Sequence, residues 1–124
     1  LYVYQYVVSG TDEVSLQFGP GHYLGTKLPG SGGNVGIAGH RTTYGAPFSR
    51  LDLVGIGDEI YLTFGSNKFH YIVDDIEVVD ADTGDYVLFN RGDDRLTLTT
   101  CHPRYSARQR LVVSGILTRI ESGN

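Results

Sequence analysis

One cysteine, one histidine and one arginine in this chain have the types and positions to work together on a carbonyl group. Cys101 is the only cysteine among 124 residues. It closes the run Leu96-Thr97-Leu98-Thr99-Thr100-Cys101, and Arg110 opens the next apolar run, Arg110-Leu111-Val112-Val113. His40 closes a third run, Asn34-Val35-Gly36-Ile37-Ala38-Gly39-His40. A thiolate can attack a carbonyl carbon, an imidazolium can protonate a leaving amine, and a guanidinium can stabilise an oxyanion or hold a substrate backbone. Taken alone, His40 reads as a structural histidine, and Cys101 fits a small buried hydrophobe as well as it fits a reactive thiol. The case for chemistry rests on the three together.

The elements that must carry these residues are strands. In the cysteine run Leu96 and Leu98 share one face, while Thr97, Thr99 and Cys101 share the other. If the leucines face the core, the sulfur leaves on the opposite side. Cys101 then ends one strand and Arg110 begins the next, so the thiol lies where loops mount on a rigid sheet. The chain carries a formal net charge of -4, yet residues 95–120 contain no Asp or Glu and hold Arg95, Arg104, Arg108, Arg110 and Arg119. Nearby positive charge favours the thiolate, which is the nucleophile. In the histidine run Val35 and Ile37 point one way and Gly36, Ala38 and His40 the other, so two small residues leave space like a groove floor. The order His, Cys, Arg differs from the Cys, His, Asn order of papain-like proteases, and no caspase signature surrounds the cysteine.

The rest of the chain reads as a β-rich single domain covering residues 1–124. The length supports one core without staples, and a single cysteine excludes an internal disulfide framework. Residues 2–8 are β-branched and aromatic and predict a first strand. Thr11 predicts an N-cap for a short helix ending at Gly19-Pro20. Residues 19–33 form a long glycine-rich loop, a length that is usually functional. Residues 45–51 predict one helical turn and residues 59–64 a strand. Gly65-Ser66-Asn67-Lys68 predicts a hairpin turn, and residues 69–80 a long strand with a bulge where alternation breaks near Asp74-Asp75. Residues 86–89 predict another short strand, and residues 110–120 the last. Many short strands with glycine turns argue for an all-β barrel or sandwich. No apolar run in these residues is long enough to span a bilayer, and none of them is expected to act as a signal peptide. An acidic chain with nine Tyr and no Trp carries no nucleic-acid footprint.

The motifs resemble the sortase family of cysteine transpeptidases. Thr97-Leu98-Thr99-Thr100-Cys101 matches the signature Thr-Leu-x-Thr-Cys, Ala38-Gly39-His40 matches the histidine motif, and Arg110, nine positions after the cysteine, matches the arginine. Gly19-Pro20-Gly21-His22-Tyr23, residues 38–48 and residues 99–110 look like the class E sortases of high-GC Gram-positive bacteria. The resemblance implies a closed barrel of about eight strands with one or two short helices. It also implies cleavage of a Leu-(Ala/Pro)-x-Thr-Gly sorting signal after Thr, through a thioester on Cys101 that a cell-wall amine resolves. His40 is then the general acid/base and Arg110 the oxyanion or substrate clamp. Thr100, Tyr23, Tyr44 and Arg104 are further candidates for substrate contact. The implied partners are the sorting signals of secreted proteins and a peptidoglycan precursor amine, at the extracytoplasmic face of the membrane.

Three departures matter. Leu24 stands where class E often has Pro. The family carries an amino-terminal membrane anchor and more chain before the first strand, so a preceding segment is expected. Residues 19–34 contain no carboxylate, so the Ca²⁺ site of some housekeeping sortases is not expected, and neither a metal nor a cofactor is implied. His22 and His102 do not complete a zinc pattern. Two other functions fit parts of the sequence: a hydrolytic cysteine peptidase, and a non-catalytic cell-surface β-domain with a free thiol.

Overall fold

The computed structural model describes residues 7–11, 16, 19–40, 46–82, 84–102 and 108–123, with Cys101 and His102 described through their backbone. Seven strands are present among them: β1 (Val8–Ser9), β2 (Gly21–His22), β3 (Asn34–Ala38), β4 (Glu59–Phe64), β5 (Asn67–Asp80), β6 (Arg95–His102) and β7 (Gln109–Ser122). They form one sheet in the order β1-β2-β3-β6-β7-β5-β4. The pair β3–β6 is parallel and lies at its centre, while β6–β7, β7–β5 and β5–β4 are antiparallel. The sheet curls around one core, because inward residues of β3 (Val35, Ile37), β6 (Leu96, Leu98), β7 (Leu111, Val113) and β5 (Phe69, Tyr71, Val73) all belong to one cluster. Phe48 and Leu51, from the turn before the 3-10 helix Leu51–Leu53 and its first residue, complete it.

This is the expected all-β architecture, but the expected closed barrel of about eight strands is a seven-stranded half-barrel in the described residues, with β1 and β4 at its edges. Most of the strand expected over residues 2–8 and of the helix expected over residues 11–18 lies outside the described residues. The bulge expected near Asp74-Asp75 is present: Val73 pairs with Gly115 and Asp75 with Ser114, leaving Asp74 as the extra residue.

Residues 86–89 do not form the expected strand. They continue the 3-10 helix Gly84–Leu88 and its end. Val87 packs with Val79 and Val112 in a second small cluster on the outer face of the sheet, with Leu88 against it. The carbonyls of Val87 and Phe89 accept from the Asn34 side chain instead of from a neighbouring strand. A four-residue apolar run cannot distinguish these outcomes by periodicity.

The two faces of β6 have different chemistry. Leu96 and Leu98 enter the apolar core. Thr97 and Thr99 face a polar layer that is just as dry, at 0% and 2% exposure. The space above Gly36 on that side is filled as well. A Cβ there would meet Leu88 Cδ2 at 2.9 Å, Tyr23 Cδ2 at 3.0 Å and Thr26 Cγ2 at 3.2 Å. The expected open groove floor is therefore the seat of Tyr23 and Leu88.

Candidate active site

Three neighbouring strands bring His40, Cys101 and Arg110 to one end of the sheet. In the β6–β7 ladder Cys101 stands directly opposite Arg110. In the parallel β3–β6 ladder Ala38 pairs with Thr99. His40 lies two residues beyond Ala38, as Cys101 lies two beyond Thr99, so the register carries His40 to the level of Cys101. Two bonds extend that alignment past the ladder. The Gly39 amide donates to the Thr99 carbonyl at 3.1 Å, and the Thr100 hydroxyl donates to the Gly39 carbonyl at 2.8 Å. The His40 carbonyl accepts from the Phe48 amide at 3.1 Å, and its Nε2 is shielded from solvent. Gly39 is required here, since a Cβ would sit 2.6 Å from the Phe48 ring.

Arg110 is exposed but held. Its Nη1 donates to the Tyr23 hydroxyl at 3.0 Å, which is bonded to the Thr99 hydroxyl at 2.7 Å. Tyr23 in turn is fixed by its own loop. Its amide donates to the Gly36 carbonyl, and its carbonyl accepts from the Thr26 hydroxyl at 2.7 Å. With the Thr26 proton so placed, the contact between Thr26 Oγ1 and His22 Nε2 at 2.9 Å requires His22 to donate. The same Nε2–H reaches the Lys27 carbonyl at 3.0 Å, so His22 acts as a loop brace. A pocket opens beside Arg110, lined by Tyr23, Thr99, Asp80, Asp85, Leu88 and their neighbours.

This frame matches known proteins. The sortase-domain family model matches residues 1–118. The chain is 32% identical to sortase D of Bacillus subtilis over 97 residues, which is 78% of this chain and 48% of that protein. The chain belongs to the sortase family. Sortases are cysteine transpeptidases. Sortase SrtE1 of Streptomyces coelicolor is 33% identical over 108 residues, covering 77% of this chain and 31% of that protein. The solved structure of sortase E from Streptomyces avermitilis superposes with a TM-score of 0.83 at 35% identity, covering 94% of this chain and 79% of that one. The chain thus spans about half or less of the length of these curated sortases.

Among the further candidates, Tyr23 stands at the site through Arg110 and Thr99. Thr100 is 4% exposed and its hydroxyl bonds Gly39, so it braces the histidine segment. Tyr44 and Arg104 lie outside the described residues. Two arginines expected to support the thiolate are engaged elsewhere. Arg95 is buried between Asp74 and Asp93, bonding them at 2.7 to 3.2 Å. It lies six residues from Cys101 on β6, about 20 Å at strand spacing, well beyond a screening length of about 8 Å. Arg119 contacts the buried His70 at 3.2 Å and Glu121 at 3.9 Å. Among the described arginines, Arg110 is the one that the ladder sets opposite Cys101. Sequence reading also missed Thr99 and Asn34. Period-two parity placed Thr99 on the face of Cys101, but nothing local marks its bond to Tyr23, 76 residues away. Among the described residues, no group of three or more His, Cys, Asp or Glu side chains is placed to hold a metal.

Proposed function

We propose that this sortase cleaves a Leu-(Ala/Pro)-x-Thr-Gly signal after Thr, through a thioester on Cys101, and passes the acyl group to a cell-wall amine. The observation that carries the reading is the common register of His40, Cys101 and Arg110 across β3, β6 and β7. In this mechanism the Cys101 thiolate attacks the Thr carbonyl carbon, and Arg110, steadied by Tyr23, offers its remaining N–H donors to the oxyanion. As the C–N bond to Gly breaks, His40 gives its proton to the departing amine. An acceptor amine then attacks the thioester carbonyl, its proton passes to His40, and the Cys101 thiolate leaves. Arg110 serves both halves, since both pass through an oxyanion at one carbonyl. The substrates are exported proteins and a peptidoglycan precursor, which places the reaction outside the cytoplasmic membrane.

The test is product mass. The protein is incubated with Leu-Ala-x-Thr-Gly and Leu-Pro-x-Thr-Gly peptides, with and without an added amine. A ligated Thr-amine product that grows with amine concentration supports transpeptidation. Free Thr carboxylate as the sole product at saturating amine would make the protein a hydrolase, and no cleavage of either peptide would leave a β-domain with a thiol.

A further inference from the structure

A directed chain of buried hydrogen bonds runs from the distal side of the sheet to the wall of the pocket beside Arg110. It begins at Arg95, whose Nη1 donates to the Ser114 hydroxyl at 2.9 Å. Thr97 donates its only hydroxyl proton to Asn34 Oδ1 at 2.7 Å. The contact of 3.2 Å between the Thr97 and Ser114 hydroxyls therefore has Ser114 as donor. Asn34 then uses both protons of Nδ2, one to the Val87 carbonyl at 2.9 Å and one to the Phe89 carbonyl at 3.1 Å. Asn34, Thr97 and Ser114 are all at 0% exposure. Every donor in the chain has one direction, so each bond polarises the next.

The far end matters because the 3-10 helix Gly84–Leu88 supplies Gly84, Asp85, Val87 and Leu88 to the pocket that also contains Arg110 and Thr99. The Phe89 amide donates to the Tyr86 carbonyl, and among the described residues no strand pairs with this wall. It is tied to the sheet by Val87 packing on Val79 and Val112, by Leu88 over Gly36, by the Tyr86 hydroxyl donating to Glu77 at 2.6 Å, and by the Asn34 side chain, which bonds its backbone carbonyls. Asn90 strengthens the same joint, its Oδ1 accepting from the Asn34 amide at 2.8 Å.

We propose that Asn34, set by the Arg95–Ser114–Thr97 relay, is a positioning residue that holds the 84–90 wall at the distance from Arg110 that the substrate peptide requires. The proposal rests on the transpeptidase reading for the identity of the substrate. Asparagine is suited to the task because one face of its amide accepts from Thr97 while the other donates twice, which neither Asp nor Leu of similar size can do.

The experiment compares Asn34→Asp, Thr97→Val and the rescue variant Thr97→Ser. Each is assayed for turnover of a Leu-Ala-x-Thr-Gly peptide, for thiol labelling of Cys101 by a small reagent, and for hydrogen exchange of the 84–90 amides. Asn34→Asp is expected to raise KM about tenfold or more, with kcat and Cys101 labelling within about threefold of wild type, and to speed exchange across residues 84–90 by at least tenfold. Thr97→Val is expected to shift KM and exchange the same way by a smaller factor, and Thr97→Ser to restore both. If Asn34→Asp does not fold, the Thr97 pair decides. Unchanged KM and exchange in folded Thr97→Val overturn the proposal, as does a loss confined to kcat. If wild type turns over no sorting peptide, the transpeptidase reading fails, and exchange alone decides whether Asn34 holds the wall: faster exchange in the variants sustains it, and unchanged exchange overturns it.

Discussion

Arg95→Met tests how this sheet is held together behind the site. Arg95 makes five side-chain hydrogen bonds, two to Asp74, two to Asp93 and one to Ser114. It joins β5, β6, β7 and the turn before β6. The bulge that leaves Asp74 unpaired in the ladder is what turns its carboxylate onto the guanidinium. Removing the cation leaves two carboxylates facing each other and a buried serine hydroxyl without its donor. Breaking a buried ion pair by removing one partner costs about 3–5 kcal/mol. Asp74 and Asp93 retain 39% and 28% side-chain exposure, so water screens part of the loss, and about 2–4 kcal/mol is expected. For a chain of this size that lowers Tm by roughly 8–15 °C. The pH dependence has a fixed sign. The Arg95 hydrogen bond, with the guanidinium charge behind it, holds Asp74 below the ordinary carboxylate range against the opposing effect of burial. Its contribution is present above an unfolded value of about 3.9 and is lost as pH falls through the lower folded value. Thermal melts of wild type and variant from pH 7 down to pH 2.5 should therefore converge at the acid end. A variant within 2 °C of wild type at pH 7, or a gap that does not narrow on acidification, would refute the reasoning.

Two further perturbations separate chemistry from packing. Arg110→Lys keeps the charge but loses the planar fork that in the proposed mechanism reaches Tyr23 and a substrate oxygen together, so steady-state ligation should fall roughly a hundred- to a thousand-fold, about 3–4 kcal/mol, while Arg108→Lys, two residues earlier and before β7, costs less than threefold; equal small losses would reduce Arg110 to general electrostatic support. Tyr71→Phe removes a fully buried hydroxyl that finds no hydrogen-bond partner among the described residues and should raise stability by about 0.5–1 kcal/mol, read as a higher urea midpoint. Burial, with a contribution from Asp94, pushes the Tyr71 phenol up to about 12, so wild type should lose stability between about pH 10 and 12 as the unfolded phenol ionises first, a loss the variant lacks; a lower midpoint for Tyr71→Phe would mean that the hydroxyl is bonded.

The parts of this fold legible in the sequence are those written with period two. Alternation through residues 96–101 and 110–113 marked the two strands that pair Cys101 with Arg110, and the break at Asp74-Asp75 marked the bulge. The all-β class followed from the same pattern. What stayed hidden depends on residues far apart in sequence. Arg95 looked like part of a basic field because its partner Asp74 is 21 residues away. Gly36 and Ala38 looked like a bare floor because the side chains that fill it, Tyr23 and Leu88, come from two other loops. Residues 86–89 looked like a strand because β-branched and aromatic types suit either state, and the Asn34 amide that caps their carbonyls enters from 53 residues away. Motif spacing picked out the candidate groups, while the hydrogen bonds around them required coordinates.

The most direct test of the central claim is intact-mass analysis of the protein after brief exposure to a Leu-Ala-x-Thr-Gly peptide without amine. One acyl adduct is expected, mapped to Cys101, with the mass of the peptide through Thr. Added amine should discharge it to a ligated peptide, and Cys101→Ala should fold and form none. Ligated product from Cys101→Ala, or turnover by wild type with the acyl group on another residue, would contradict the mechanism built on Cys101.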